Sequence, residues 1–208
     1  MTRGSETIFL VDDDAAVLKA LTRLLNAAGF QTRAFPSACE FLAQHDPECP
    51  GCVVVDLAMP DMSGLELQQA LQRSGHDRPI IFLTGRGDVP TSVHAMKQGA
   101  LDFLTKPVDG KDLIAAVAAA IERDSLIRRE RAAIRSIEAR LATLTPRESE
   151  VLSRVVAGRL NKQIAADLGT AEKTVKVHRA RVMAKMGVRT VADLVRITHH
   201  AGVTGKAR

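Results

Sequence analysis

Ile8-Phe9-Leu10-Val11-Asp12-Asp13 is a run of four apolar residues closed by two acids. Similar arrangements recur downstream. Val53-Val54-Val55 ends in Asp56, Ile80-Ile81-Phe82-Leu83 ends in Thr84, and Phe103-Leu104-Thr105 ends in Lys106-Pro107. Short, mostly β-branched apolar runs separated by helix-period segments form the pattern of buried parallel strands. In an open α/β sheet, ligands bind outside the carboxyl ends of the strands. The spacing therefore predicts that Asp12, Asp13, Asp56, Thr84 and Lys106 converge on one pocket.

Three carboxylates, a hydroxyl and an ammonium together suit a narrow chemistry. Clustered carboxylates repel one another and favour a hard dication with oxygen ligands, such as Mg²⁺. A metal and a lysine neutralise a transferring phosphoryl group, and a carboxylate beside them can be the nucleophile. The residues thus point to an aspartate that accepts a phosphoryl group. Each taken singly is an ordinary strand-end residue; the ordered set carries the reading.

Around these strand ends the pattern alternates. Strands are predicted over Thr7–Val11, Gln31–Ala34, Cys52–Val55, Ile80–Thr84 and Asp102–Thr105. Helices are predicted over Ala15–Ala28, Ser37–Gln44 with Ser37 as N-cap, Leu65–Arg73, Val89–Gln98, and from near Asp109 onward. Five such units make an α/β, doubly wound, five-stranded parallel sheet. The last helix is expected to run long. Leu113, Ala116, Ala120, Ile127, Ile134, Ile137, Leu141 and Leu144 fit a seam of heptad spacing, which Arg123 and Glu130 interrupt. So short a seam leaves both a charged interdomain helix and pairing across a dimer open.

The chain changes character near residue 126. Residues 1–126 carry 11 Lys/Arg against 17 Asp/Glu, whereas residues 127–208 carry 18 against 7. All six Phe lie in the acidic part. A small basic unit after an acidic one suggests polyanion binding. Its pattern is all helical. Thr145-Pro146-Arg147-Glu148 reads as a capping box with Pro at the first helical position, opening Pro146–Ala157. Lys162–Leu168 follows, then Ala171–Met186 with Thr170 as its expected cap. Thr190-Val191-Ala192-Asp193 reads as a second capping box, opening Val191–His199. A short helix, a tight glycine turn and a longer basic helix make a helix-turn-helix. Lys173, Lys176, Arg179, Arg181 and Lys185 lie on the longer helix.

Other motifs carry less. Cys49-Pro50-Gly51-Cys52 has C-x-x-C spacing but no second ligand pair nearby for zinc, and Cys52 leads into a strand rather than a helix. These cysteines read as loop and strand-start residues. Gly85-Arg86-Gly87 lacks the third glycine of a dinucleotide loop, where Pro90 stands instead, and no phosphate-binding P-loop occurs. A nucleotide enzyme is therefore not expected. No apolar stretch of about 18 residues is present, and the N-terminus lacks a signal-peptide pattern, so the expected compartment is the cytoplasm with no membrane partner.

The ordered motifs carry a resemblance. Val-Asp-Asp-Asp at 11–14, Asp-Leu-Ala-Met-Pro-Asp-Met-Ser-Gly at 56–64, Leu-Thr-Gly-Arg-Gly-Asp-Val-Pro at 83–90 and Lys-Pro at 106–107 resemble the flavodoxin-like receiver domain of two-component response regulators. Leu-Thr-Pro-Arg-Glu at 144–148, Asn-Lys-Gln-Ile-Ala at 161–165 and Thr-Val-Lys-Val-His at 174–178 resemble the LuxR-type helix-turn-helix. Together they are similar to the NarL/FixJ family, with the glycine-flanked segment at 85–87 nearest its FixJ branch. The resemblance implies a receiver over 5–124, a linker helix over 125–141 and a four-helix DNA-binding domain over 142–203.

It further implies roles. Asp56 would accept the phosphoryl group. Asp13 and Asp56 would bind Mg²⁺ with the carbonyl of Ala58, and Asp12 would act through metal-bound water. Thr84 and Lys106 would hold phosphoryl oxygens, Phe103 would be the switch aromatic, and the Lys106-Pro107 bond would be cis. Candidate DNA contacts are Lys162, Lys173, Thr174, Lys176, Val177, Arg179, Arg181 and Lys185, with Lys176 and Val177 at the positions that enter the major groove. Ala180 stands where some members carry a base, and Ala58 is smaller than the side chains often found there. The implied partners are double-stranded DNA, a sensor histidine kinase, a second copy of the chain on phosphorylation and, as a candidate, RNA polymerase. The function so implied is phosphorylation-controlled transcription regulation rather than enzymatic turnover. An aspartyl-phosphate hydrolase of the haloacid-dehalogenase type would place a second Asp at position 58. A ligand-sensing regulator would want an aromatic pocket, and the chain has no Trp or Tyr. A receiver that serves merely as an interaction module would not need the acceptor, hydroxyl and lysine together.

Overall fold

The computed structural model describes residues 6–75, 78–85 and 100–202. Five strands, β1 (Thr7–Val11), β2 (Gln31–Phe35), β3 (Gly51–Asp56), β4 (Ile80–Thr84) and β5 (Asp102–Thr105), pair in parallel in the order β2-β1-β3-β4-β5. The helices between them are α1 (Ala15–Ala27), α2 (Ala38–Gln44) and α3 (Gly64–Arg73), and α4 (Gly110–Ala142) follows β5. The expected helix Val89–Gln98 lies outside the described residues. Because β1 has β2 on one side and β3 on the other, the strand order reverses there. The crevice at a reversal is where such sheets bind ligands, and it lies between the ends that carry Asp12 and Asp56.

Strand alternation divides the core. Phe9, Val11, Val53, Val55, Ile80 and Phe82 face one side with Phe35, Phe41, Leu67 and Leu71. Ile8, Leu10, Val54, Ile81 and Leu83 face the other with Leu21, Leu25, Leu113 and Val117. The two cysteines of the C-x-x-C pair divide in the same way. Cys52 is buried in the second cluster, whereas Cys49 packs at the margin of the first. All three cysteines are free thiols, and burial pushes the Cys52 thiol up to about 12. The spacing reflects a strand start, not a site.

The opposite end of the sheet is fastened by buried polar groups. Arg78 Nη2 donates to the carbonyls of Asp46, Pro47 and Cys49, and its guanidinium lies 4.6 Å from the Phe9 ring centroid. The buried Asp124 carboxylate on α4 accepts the Gly51 N–H at 2.9 Å. Gly51 has φ +140°, and a Cβ there would collide with the Thr7 carbonyl.

The chain divides into two compact units, Met1–Ile127 and Arg128–Arg208, so the boundary falls inside α4. The first turns of α4 bury Leu113, Ala116, Val117 and Ala120 in the sheet unit, while Ile137 and Leu141 belong to the core of the helical unit. The helical unit continues with α5 (Pro146–Val156), α6 (Asn161–Asp167), α7 (Glu172–Met186) and α8 (Val191–His200). Val151, Leu152, Ile164, Val175, Val182, Met186 and Leu194 fill its core.

Its caps differ in part from expectation. Thr145 and Glu148 form the capping box with Pro146 inside the first turn. Thr170 is not the cap of α7: its N–H closes the preceding turn onto the Ala165 carbonyl, and Ala171 becomes an N-cap without a side-chain acceptor. Thr190 does cap α8, but Asp193 does not complete the box. Its short carboxylate takes the Thr190 hydroxyl at 2.7 Å rather than the Thr190 backbone N–H. Glu148 does more than cap. Its Oε2, nearly fully buried, accepts the Thr145 N–H at 2.9 Å and Lys185 Nζ at 2.6 Å, and Lys185 also donates to the Thr143 carbonyl. One carboxylate thus ties the start of α5 to the last turn of α7.

Two outcomes test these fastenings by far-UV circular dichroism during urea unfolding, since the chain has no Trp or Tyr. Gly51→Ala should destabilise the sheet unit by roughly 4 kcal/mol or more, because both conformation and space exclude a side chain. A loss under about 1 kcal/mol would show that the strand start relaxes freely. The hydrogen bond from Lys185, followed by that from Thr145, lowers the Glu148 pKa from 4.5 to about 2. A depressed carboxylate pKa contributes stability above its unfolded value and loses it as pH falls through its folded value. The helical unit should therefore lose this contribution between about pH 4.5 and 2, and Glu148→Gln should lack that part of the pH dependence. Equal pH profiles for both proteins would remove Glu148 from this role.

Candidate functional site

β1 delivers Asp12 and Asp13 past its last residue, and Asp14 ends the turn by capping α1. The Asp14 carboxylate accepts the N–H groups of Ala16 and Val17, a role its place before the helical run fits. The Asp14 N–H donates to Asp12 Oδ1 at 2.9 Å, which fixes the Asp12 carboxylate. β3 ends in Asp56. Helix α3 can start directly beneath because residue 64 is glycine: a Cβ there would lie 2.7 Å from the Asp56 carbonyl oxygen. The Ser63–Glu66 capping box then holds the start of α3.

Lys106 joins these parts. Its Nζ lies 2.7 Å from Asp12 Oδ2 and 3.2 Å from Asp56 Oδ1. The Lys106 N–H donates to the Thr84 carbonyl at 2.6 Å, and Lys106-Pro107 is a cis bond. Carboxylate oxygens of Asp12, Asp13 and Asp56 all lie within 4.8 Å of one another. Asp12 and Asp56 are buried and Asp13 is exposed. Burial raises the Asp56 pKa above the ordinary carboxylate value, as does the Asp12 charge; Lys106 and the Ala58 N–H oppose this. For Lys106, burial favours the neutral amine, but the Asp12 hydrogen bond and the two carboxylate charges outweigh it and raise its pKa. The donor set is all hard oxygen, carries more negative charge than one ammonium balances, and has a side open to solvent. That chemistry fits a hard dication such as Mg²⁺.

The remaining expected residues sit around this group. Thr84 is buried at the end of β4, one residue past Leu83, which is opposite Asp56 in register. Phe103 is half-buried on β5 opposite Phe82, with ring centroids 6.2 Å apart, and lies outside the charged cluster. Ala58 is exposed two residues past Asp56.

In the helical unit the candidate DNA residues separate into two groups. Lys162, Lys173, Thr174, Lys176, Val177 and Arg181 are exposed, with Lys176 in a surface ion pair to Glu172 at 3.3 Å. Arg179 and Lys185 are turned to the protein. Arg179 Nη1 donates to Asn161 Oδ1 at 2.9 Å, and Lys185 holds Glu148. Charge count along the sequence could not separate them, but helical phase could: positions 179 and 185 flank the buried Val175, Val182 and Met186. Leu160, exposed at the start of α6, carries neither motif nor charge; its one signal in the sequence is an apolar residue at an N-cap position.

The response regulator receiver domain family matches residues 8–118, and the luxR family of bacterial regulatory proteins matches residues 142–198. Nodulation protein W of Bradyrhizobium diazoefficiens is 43% identical over 197 residues, covering 95% of this chain and 87% of that protein. The transcriptional regulatory protein FixJ of Azorhizobium caulinodans is 43% identical over 196 residues, covering 94% of this chain and 93% of that one. Among solved structures, the response regulator StyR superposes with a TM-score of 0.82 at 42% identity, covering 94% of this chain and 99% of that chain. With both domains matched in order and relatives aligned along nearly its whole length, the chain belongs to the NarL/FixJ family of response regulators, transcriptional regulators that join a receiver to a LuxR-type DNA-binding domain.

Proposed function

We propose that Asp56 is the phosphoryl acceptor and that its phosphorylation by a sensor histidine kinase controls operator binding. The observation that carries this is the Lys106 ammonium set between Asp12 and Asp56 in the crevice of a parallel sheet. In the transfer, an Asp56 carboxylate oxygen forms the new P–O bond, the P–N bond to the kinase histidine breaks, and the histidine leaves with the nitrogen electron pair. Asp56 must be ionised to attack; Lys106 counters the burial that would protonate it. Asp13, Asp56 and the Ala58 carbonyl would hold Mg²⁺, with Asp12 acting through its water. Mg²⁺ when bound supplies charge neutralisation at the phosphoryl oxygens. Lys106 and the Thr84 hydroxyl receive those oxygens, and Phe103 turns inward as Thr84 moves. The small, exposed Ala58 leaves the acceptor open to water, which favours fast loss of the phosphoryl group.

In this reading residues 5–124 are the receiver, 125–141 the linker and 142–203 the DNA-binding domain. Phosphorylation favours a homodimer, so that two α7 helices read a roughly palindromic duplex. Lys176 and Val177 approach base edges. Lys162, Lys173, Thr174 and Arg181 meet the backbone, while Arg179 and Lys185 serve the fold. RNA polymerase is the further partner of a DNA-bound regulator. The protein acts in the cytoplasm; among the described residues no helix is long and apolar enough to cross a membrane.

With Mg²⁺ and acetyl phosphate, the wild-type chain should shift on a phosphate-affinity gel, and Asp56→Asn should not. Equal labelling of the two would sink the assignment. On DNA, Lys176→Ala should lose about 1–3 kcal/mol and relax sequence preference, whereas Arg181→Ala should weaken all duplexes alike and flatten the salt slope by about one unit. If Lys176→Ala loses equally on operator and scrambled duplexes, Lys176 contacts the backbone and the base-reading role is wrong.

A further inference from the structure

Leu160 is a misfit by every local rule. It occupies the N-cap of α6 with extended backbone, and its carbonyl accepts the Ile164 N–H. That position favours Ser, Thr, Asp or Asn, whose side chains accept an orphan N–H of the first turn. Leucine has no acceptor. The reciprocal half of the box is nonetheless in place, since Gln163 Oε1 accepts the Leu160 N–H at 2.9 Å. A serine at 160 would complete it. Nor does the leucine recover its loss by packing: at 68% exposure it is the most exposed large apolar side chain among the described residues.

Its surroundings say what covers it. The next residue, Asn161, accepts the hydrogen bond from Arg179 of α7 at 2.9 Å. On α7, Arg179 lies between the buried Val175–Val182 face and the exposed side that carries Lys176. The start of α6 therefore borders the Lys176 flank of the groove-facing surface. Arg159, exposed with a long 3.9 Å ion pair to Asp167, and the exposed Lys162 stand on either side of the leucine along the chain. An apolar side chain between two cations matches a DNA strand, where phosphates flank an apolar deoxyribose face.

We propose that Leu160 is a DNA contact that packs on a deoxyribose beside the groove entered by α7, at the expense of the α6 cap. The proposal rests on α7 being the groove helix. It predicts opposite signs for stability and binding in one variant. Full-length wild type, Leu160→Ser and Leu160→Met are compared by thermal melting and by titration against two duplexes at several salt concentrations. One duplex is selected by the wild-type protein from a random pool, and the other is its scrambled sequence. Leu160→Ser should raise the melting point of the helical unit by a few degrees. It should also weaken binding to both duplexes by about five- to tenfold with the salt slope unchanged, because no charge is lost. Leu160→Met, still apolar, should keep wild-type affinity. Undiminished binding by Leu160→Ser overturns the contact. A lower melting point overturns the claim that the leucine weakens the cap. Loss confined to the selected duplex, or a flatter salt slope, overturns the deoxyribose assignment. If wild type selects no duplex while melting normally, the groove-helix reading itself falls and the contact with it.

Discussion

The ammonium of Lys106 is the interaction on which the sheet unit turns. Asp12 and Asp56 end neighbouring strands, so the topology forces two carboxylates into one crevice, and burial makes their repulsion costly. The cation that relieves it comes from the end of β5, at the edge of the sheet, and reaches past β4 to both. A long, flexible stem with a compact charge is suited to that span. The cost of removing Lys106 would fall on Asp12 most heavily, because that side chain is almost completely buried. The same arrangement makes the crevice responsive. An anion arriving on Asp56 would compete with Asp12 for one ammonium, so a charge change at Asp56 would be felt at β1 and β5 together.

Much of this was legible in the sequence because parallel strands buried on both faces need apolar runs, and such runs end where solvent and ligands begin. β1, β4 and β5 lie where the pattern set them; β2 and β3 extend by one or two residues into Phe35, Gly51 and Asp56. The charged cluster followed from topology, since all its members stand at carboxyl ends. The finer polar geometry did not follow. Thr170 and Ala171 compete for one cap, and the winner depends on how the preceding glycine turn closes. Asp193 has the right spacing for a box, yet is one methylene shorter than Glu148, and that length decides which donor it meets. A motif records residue types and intervals; side-chain reach and turn closure need coordinates.

Lysines and arginines make the same point in the helical unit. Its excess of positive charge suggests polyanion binding, but the charge is not all at one surface. Along α7, Lys173, Lys176 and Arg181 are exposed, whereas Arg179 and Lys185 are turned to Asn161 and Glu148. A lysine in a buried pair is expensive to detach, because its partner would be left charged and desolvated. The Lys185 hydrogen bond, followed by that from the Thr145 backbone, lowers the Glu148 pKa to about 2.

That division limits what the net charge can mean for DNA. Each phosphate neutralised contributes about −0.9 to the slope of log affinity against log salt. If every cation on α7 met a phosphate, the slope would report all five; with Arg179 and Lys185 held by Asn161 and Glu148 and Lys176 proposed for base edges, it would report Lys173 and Arg181 and whatever α6 adds through Lys162. A contact without charge, such as one by Val177, exposed in the middle of the same helix, would add affinity outside that electrostatic part. Apolar side chains are stable on this surface only at a cost in water, which binding then recovers. The basic residues of α7 thus divide into Arg179 and Lys185, which hold Asn161 and Glu148, and Lys173, Lys176 and Arg181, which face outward; in the proposed reading Lys176 and the uncharged Val177 carry specificity.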